Sequence, residues 1–236
     1  MASDKFTLKE ICSEFDIKTD IEAYGNGHIN DTYLCDTAPR FILQRLNTSV
    51  FKDPVSVMEN IVNVTEHLTK KITAAGGDPM RETLTVIPTK DGYSYFKADD
   101  DNYFRMYKFI EDSISYDLVE NPIQLYHAGK AFGKFQSMLS DFSADKLHET
   151  IVDFHNTPKR VEQLNDAISN NAANRAGSVQ KELDFAKEYA KYASVIVDKM
   201  NDGSVPLRVT HNDTKLNNVL FDRETGEGLC VIDLDT

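Results

Sequence analysis

His211, Asp213, Lys215, Asn217 and Asn218 crowd the stretch "HNDTKLNN", residues 211–218. Each type has a definite chemical use. A carboxylate such as Asp213 can accept a proton from an attacking hydroxyl. Lys215, two residues on, can reach toward a phosphate in transfer. The amide oxygen of Asn218 is a hard ligand of the kind Mg²⁺ takes. An apolar run follows at Val219–Phe221, then the turn "DRETGEG", then a second apolar run in "LCVIDLDT". The two runs predict a β-hairpin. Hairpin pairing brings Asn218 close to Asp233, and two hard oxygens there leave a cation free to keep waters and accept phosphate oxygens. Strand alternation places Asp235 on the same face as Asp233, as an assisting ligand. A base, metal ligands and a cation are the parts that phosphoryl transfer needs. Without that chemistry, the segment is a polar turn before a structural hairpin, with His211 a hydrogen-bonded core histidine.

These residues need a frame, and the rest of the chain predicts one. "TLKE" at 7–10 is a capping-box pattern that opens a short helix running to about Phe15. Strand-like runs follow near 21–24, 31–35 and 41–46. Asp53 and Pro54 open a helix whose stripe is Val57, Ile61, Val64, Leu68 and Ile72. "AAGGDP" breaks it, and β-like runs come next at 83–88, 93–97 and 102–110. Beyond a connector the pattern turns helical. One helix opens at Asn121 and Pro122, with Leu125, Ala128, Phe132, Phe135 and Leu139 on one face. A second is expected over 158–169, with Thr157 and Pro158 as cap and first turn, and a third over 180–200. The predicted fold class is therefore α+β. The organisation expected is a β-rich N-terminal lobe over 1–107, a connector over 108–120 and a helical lobe over 121–236.

Bulk properties narrow the partners. Against 26 Lys and Arg stand 38 Asp and Glu, for a net charge of −12 in 236 residues. Such a surface repels nucleic acid and anionic lipid, so neither is expected as a partner. It also repels a nucleotide triphosphate, which then needs a divalent cation and a local cluster of donors. No apolar run is long enough to span a membrane. The first residues lack the basic-then-apolar order of a secretory leader. Cys12, Cys35 and Cys230 are far apart and form no metal-ligand pattern, which fits a reducing cytoplasm.

"HNDTKLNN" fits the pattern HxDxxxxN, and "VIDLD" fits the metal-binding strand end that follows it, in the aminoglycoside phosphotransferase and choline kinase superfamily. The chain resembles that superfamily, which has a protein-kinase-like two-lobe fold. The resemblance implies Asp213 as catalytic base, Asn218 and Asp233 as Mg²⁺ ligands and His211 as a loop-orienting residue, with ATP as phosphoryl donor. "YGNGHINDTY" resembles a glycine-rich loop over ATP phosphates, where Gly25 and Gly27 let backbone N–H groups approach and His28, Asn30 and Thr32 add side-chain donors. Taken alone, such a G-x-G is a hairpin turn. "FILQRL" occupies the place of the strand that carries a phosphate-binding lysine. Gln44 stands in that position, and Arg45 falls on the opposite face. Either Gln44 takes a reduced polar role, or Arg45 reaches round. Glu59 and Glu66, on the helix that follows, read as solvated. "YFRMYKFIEDSISYD" resembles the hinge between lobes, so Tyr107, Phe109 and Ile110 are expected along the adenine.

Longer stretches, "FILQRLNTSVF", "YKFIEDSISYDLV", "FHNTPKR" and "LRVTHNDTKLNNVLFD", look like the bacterial N-acetylhexosamine 1-kinases. Those enzymes phosphorylate the anomeric hydroxyl of N-acetylgalactosamine or N-acetylglucosamine with ATP and Mg²⁺. The resemblance also implies that relatives continue well past the position of Thr236, so the helical lobe is expected to be incomplete. Two other readings stay open: a kinase of another acceptor, of the choline, homoserine or aminoglycoside type, and a nucleotide-binding module without catalysis.

Overall fold

The computed structural model describes residues 6–25 and 29–236. Helix α1 (Leu8–Ser13) is opened by Thr7, whose hydroxyl accepts from the Glu10 amide while Glu10 returns to the Thr7 amide. Strands β1 (Ile21–Ala23), β2 (Asp31–Cys35) and β3 (Phe41–Asn47) follow as an antiparallel meander. Helix α2 (Pro54–Ala74) starts at Asp53, whose side chain accepts from the Ser56 amide. After the short helix α3 (Pro79–Glu82) come β4 (Val86–Ile87), β5 (Phe96–Lys97) and β6 (Asn102–Lys108). The sheet runs β1-β2-β3-β6-β4, with β5 also pairing to β6. The expected strands at 83–88 and 93–97 shrink to two residues each; the intervening Thr89–Tyr93 segment closes a turn instead.

Alternation along β3 and β6 gives the sheet two apolar faces. Leu43, Phe104 and Met106 pack with Ile11, Cys12, Phe15 and Cys35 under α1. Leu46 and Tyr107 pack with Phe51, Val57, Met58 and Ile61 under α2. Gln44 and Arg105 are cross-strand partners in the β3–β6 register, between Leu43–Met106 and Arg45–Phe104. The period-two rule puts both on the α2 side.

The rest of α2 serves a second core. Val64, Leu68 and Ile72 pack with α4 (Pro122–Met138) and with a three-stranded sheet of β7 (Ser113–Ile114), β8 (Val219–Asp222) and β9 (Gly228–Val231). Asn121 caps α4 as expected. Its buried stripe is Gln124, Ala128, Ala131 and Phe135; Leu125, expected on that face, is exposed. Gly228 is where α4 and β9 come closest: a Cβ there would stand 2.7 Å from the His127 carbonyl oxygen and 2.9 Å from Ala131 Cβ. Only a residue without a side chain permits that approach.

Residues 152–208 form a second compact unit. It holds α5 (Thr157–Asn170), α6 (Gln180–Tyr189) and α7 (Val195–Asn201). Asn156, not Thr157, caps α5, its side chain accepting from the Lys159 amide. The single helix expected over 180–200 is broken by a 3-10 turn at Ala190–Tyr192. The first unit, residues 1–151 with 209–236, joins the N-terminal sheet to the 211–218 segment. This split differs from the lobe boundary expected at 108–120, because α4 and the β8–β9 hairpin share their core with α2. Among the described residues, no helix is long and apolar enough to cross a membrane.

Candidate active site

The β8–β9 hairpin forms where the apolar runs predict it, with Val219 opposite Val231 and Leu220 opposite Cys230. One further backbone bond, Ile232 N–H to Asn218 O at 2.9 Å, carries the pairing past the strand ends. The Asn218 carbonyl is thereby tied to Ile232, the residue that precedes Asp233. The 211–218 segment enters as a 3-10 turn at Leu216–Asn218, closed by the Asn218 amide on the Lys215 carbonyl at 3.0 Å.

His211 is buried and links the loop to the chain after β9. Its Nε2 lies 2.7 Å from the Ile232 carbonyl oxygen and its Nδ1 lies 3.3 Å from the Asp213 amide. A carbonyl can only accept and an amide N–H can only donate, so Nε2 carries the proton and Nδ1 accepts. Burial pushes the imidazole pKa down and outweighs the Ile232 carbonyl and Asp213, which favour the charged form. The rings of Phe132 and Phe135 meet it edge-on. His211 therefore works as a neutral brace between the loop and the strand leading to Asp233.

Asp213 lies half-exposed at the loop tip. Its Oδ2 is 2.8 Å from Lys215 Nζ and 3.0 Å from Asn218 Nδ2, which also reaches the Asp213 carbonyl at 2.8 Å. Burial raises the carboxyl pKa, but Lys215, Asn218 and His211 together hold it below the usual aspartate value. Because Asn218 spends its amide nitrogen on Asp213, its oxygen is the atom turned away and suited to a cation.

Asp233 stands in the left-handed region, φ 63°. Burial and the neighbouring acids Asp235 and Asp213, partly offset by Arg105 and Lys215, push its pKa up to about 6. No described residue donates a hydrogen bond to its carboxylate. Alternation along "VIDLDT" does not survive here, because β9 ends at Val231 and the backbone turns at Asp233. Asp235, expected as an assisting metal ligand, is instead buried in an ion pair. Its Oδ1 accepts from Arg105 Nη1 at 2.5 Å, and its Oδ2 accepts from Arg105 Nη2 at 2.9 Å and Asn30 Nδ2 at 2.7 Å.

Arg105 was hidden in the sequence within "YFRMYKF", and its buried position is the main feature that pattern reading misses. The available signal was register: a charged residue in an apolar strand, facing Gln44 across the ladder. Its Nε donates to Gln44 Oε1 at 3.0 Å, and Gln44 Nε2 donates to Thr32 Oγ1 at 3.0 Å. Gln44 thus takes a polar bridging role between Arg105 and Thr32. Arg45 does not reach round; it pairs with Asp31 at 3.6 Å on the other face. Glu59 pairs with His148 and Glu66 is exposed, so neither helical acid enters the site.

On the nucleotide side, Gly25 has φ 73° in an open turn, and the Tyr24 amide bonds the Thr32 carbonyl at 2.9 Å to close the hairpin. Gly27 and His28, expected at the phosphates, lie outside the described residues. Asn30 is drawn to Asp235, and its oxygen accepts from the Asn47 amide at 3.0 Å. At the expected hinge, Tyr107 is buried in the core under α2 and does not line an adenine slot. The Phe109 ring packs under the Arg40 guanidinium and edge-on to Tyr24. The Lys108 and Phe109 amides bond the Thr85 and Arg40 carbonyls, and the Ile110 carbonyl accepts from the Ser113 hydroxyl. Among the described residues no cluster of three or more His, Cys, Asp or Glu forms a ready-made metal cage.

Residues 20–236 match the profile of the phosphotransferase enzyme family. Spectinomycin phosphotransferase APH(9)-Ia, solved with ADP and spectinomycin, superposes with a TM-score of 0.61 at 12% identity, over 97% of this chain and 67% of that one. An aminoglycoside phosphotransferase from Alicyclobacillus acidocaldarius gives 0.59 at 11% identity, over 99% and 67%. A microcompartment-associated aminopropanol kinase gives 0.57 at 16% identity, over 96% and 68%. At identities this low, the superpositions show a shared α+β kinase-like fold and no more.

Proposed function

The chain belongs to the phosphotransferase enzyme family, and we propose that within it this protein transfers the γ-phosphoryl group of ATP to a hydroxyl of a small acceptor, an N-acetylhexosamine at its anomeric position. One observation carries the phosphoryl-transfer reading. Asp213, bonded to Lys215 and Asn218, lies near enough to Asp233, two residues past the end of β9, for the two carboxylates to feel each other's charge.

The donor set suits Mg²⁺. Asp233 is a half-buried carboxylate among acids, without a described hydrogen-bond donor, and Asn218 turns an amide oxygen away from Asp213. One carboxylate and one amide oxygen match the habit of Mg²⁺, which keeps several waters and takes phosphate oxygens rather than a full protein cage. Bound there, the cation would neutralise charge on the phosphates. Three acids, Asp213, Asp233 and Asp235, stand against two cations, Lys215 and Arg105, so the site has a deficit of positive charge that a divalent ion would fill.

Asp213 would orient the acceptor hydroxyl and take its proton. A base held below the normal aspartate pKa is weak, but phosphoryl transfer runs through a loose transition state in which positioning and charge matter more than covalent push. Lys215 sits where it can shift from Asp213 to the transferring phosphoryl group. His211 and Asn218 hold the loop. On the nucleotide side, Gly25, Thr32 and Gln44 line the sheet end expected over the phosphates, with Phe109 and Ile110 at the adenine edge.

The sugar acceptor rests on the sequence stretches that resemble the N-acetylhexosamine 1-kinases. A second acceptor class is favoured by the net charge of −12, which draws cationic molecules. Amine-bearing alcohols of the choline, homoserine and aminoglycoside type belong to it. Incubation with ATP, Mg²⁺ and a panel of these acceptors, scored by phosphorylated product, separates the classes. Sugar 1-phosphate with N-acetylglucosamine or N-acetylgalactosamine supports the first reading. Product only with amine-bearing alcohols replaces it, and nucleotide binding without product from any acceptor points to a non-catalytic module.

A further inference from the structure

We infer that Arg105, acting through Asp235, is the positioning residue that holds Asp233 in its metal-binding pose and ties it to the nucleotide-facing sheet. The inference rests on the assignment of Asp233 as a metal ligand.

Four segments distant in sequence converge on Asp235. Arg105 arrives from β6 and grips both carboxylate oxygens. Asn30 arrives from the β1–β2 connection and shares one of them. Thr150 donates its hydroxyl to the Asp235 backbone carbonyl at 2.7 Å. Gln44 on β3 fixes the remaining side of the guanidinium through Nε. A planar fork bonded on two edges has its plane and direction set, and lysine, a point cation, cannot reproduce that. Arg105 and Asp235 are 1% and 2% exposed, and three guanidinium nitrogens are already committed. Arg105 is therefore placed to hold protein and not to touch a phosphate.

Asp233 needs such support. It has a left-handed backbone, φ 63°, a conformation that Asp adopts more readily than most residues and that turns the chain sharply here. The strand ladder has ended two residues earlier. On the near side, Ile232 is pinned by its amide to Asn218 and by its carbonyl to His211. On the far side, Leu234 packs against two apolar clusters, and Asp235 supplies the first polar anchor through its bonds to Arg105, Asn30 and Thr150. The Asp233 carboxylate itself has no such partner among the described residues, so its aim is set by these flanking anchors. A metal ligand whose orientation depends on outer partners loses affinity when they are removed.

The experiment is a titration of Mg²⁺ in the presence of AMP-PNP, with nucleotide binding read by calorimetry and no acceptor present. Four proteins are compared with wild type: Arg105→Lys, the apolar pair Arg105→Met with Asp235→Leu, Asp233→Asn, and Arg45→Met. The apolar pair removes the fork without leaving a buried, unpaired charge, which a single change at either residue would leave. Loss of an outer partner typically weakens metal affinity about 10- to 100-fold. The half-saturating Mg²⁺ concentration is thus expected to rise by about that factor in Arg105→Lys and in the apolar pair, while metal-free AMP-PNP affinity stays within about threefold. Arg45→Met, on the other face of β3, should match wild type. Half-saturation within twofold of wild type in the folded apolar pair overturns the inference. If Asp233→Asn leaves the Mg²⁺ dependence unchanged, or if wild type shows none, it is the assignment of Asp233 that fails.

Discussion

At the scale of single residues, the site separates side chains that act from side chains that hold. Asp213→Asn keeps the size and one hydrogen-bonding oxygen but removes the base. General-base catalysis contributes about 10²- to 10⁴-fold, so turnover with the responsive acceptor should fall by about that order while AMP-PNP affinity is kept. Activity within tenfold of wild type would remove Asp213 from the base role. Asp233 and Asp235 should behave oppositely in stability. Asp233 has a folded pKa raised to about 6, so the folded chain binds its proton more tightly than the unfolded chain does. Its ionised form at neutral pH therefore weakens the metal-free fold, and that cost fades as pH drops toward the unfolded value. Asp233→Asn should leave the metal-free melting temperature at or above wild type at pH 7.5. Asp235→Ala leaves the Arg105 charge buried and unpaired, a change that costs ~3–5 kcal/mol. A fall in melting temperature for Asp235→Ala, and none for Asp233→Asn, is the expected pattern. The sequence showed the residue types at 211–218 and the β8–β9 hairpin that follows them, because a hairpin has a short and regular register. It hid the pairing of Arg105 with Asp235, since nothing local in either stretch names a partner 130 residues away.

Elements set these residues, and their agreement with the sequence pattern follows their length. Helix α2 carries its apolar stripe over 21 residues, and Asp53 with Pro54 marks its start, so pattern and cap agree. The stripe on α4 was misread by about one position at its start, because Gln124, a capping-box partner, buries its side chain while Leu125 faces out. The β4 and β5 runs are two residues long, too short for alternation to mark their ends. The close approach of α4 to β9 depends on one glycine. Gly228→Ala would place a methyl within 2.7 Å of the His127 carbonyl oxygen and 2.9 Å of Ala131 Cβ. Overpacking of this kind typically costs about 1–3 kcal/mol. Urea unfolding should show a lower midpoint with an unchanged slope. Since β9 leads directly into Asp233, the half-saturating Mg²⁺ concentration should rise as well. An unchanged midpoint would mean that α4 can back away from the hairpin without cost.

For the molecule as a whole, burial is unevenly shared. Residues 1–151 with 209–236 contain three apolar clusters, but residues 152–208 bury a single apolar side chain, Leu183. Helices α5, α6 and α7 have 14, 10 and 7 residues. Isolated helices shorter than about 12–15 residues are marginal in water, since nucleation is costly and most helical stability comes from a packed face. Neither α6 nor α7 has a side-chain cap at its N-terminus. The two aromatic residues of α6 instead meet each other on the surface: Phe185 stacks on Tyr189 at 4.4 Å, and both are exposed. The amphipathic period over 180–200 was legible, but a period shows only that a face is apolar, not what covers it. Native-state hydrogen exchange reads the difference. Amides of β3, β6 and α2 lie between the apolar clusters and should open only with global unfolding. Amides over 180–201 should exchange through local opening, with protection at least ~10²-fold lower, because a gap of about 2.7 kcal/mol or more separates weakly packed helices from the core. Protection over 180–201 equal to that of β3 would show that the exposed face of α6 and α7 is packed in solution, and the ranking of the two units would fail.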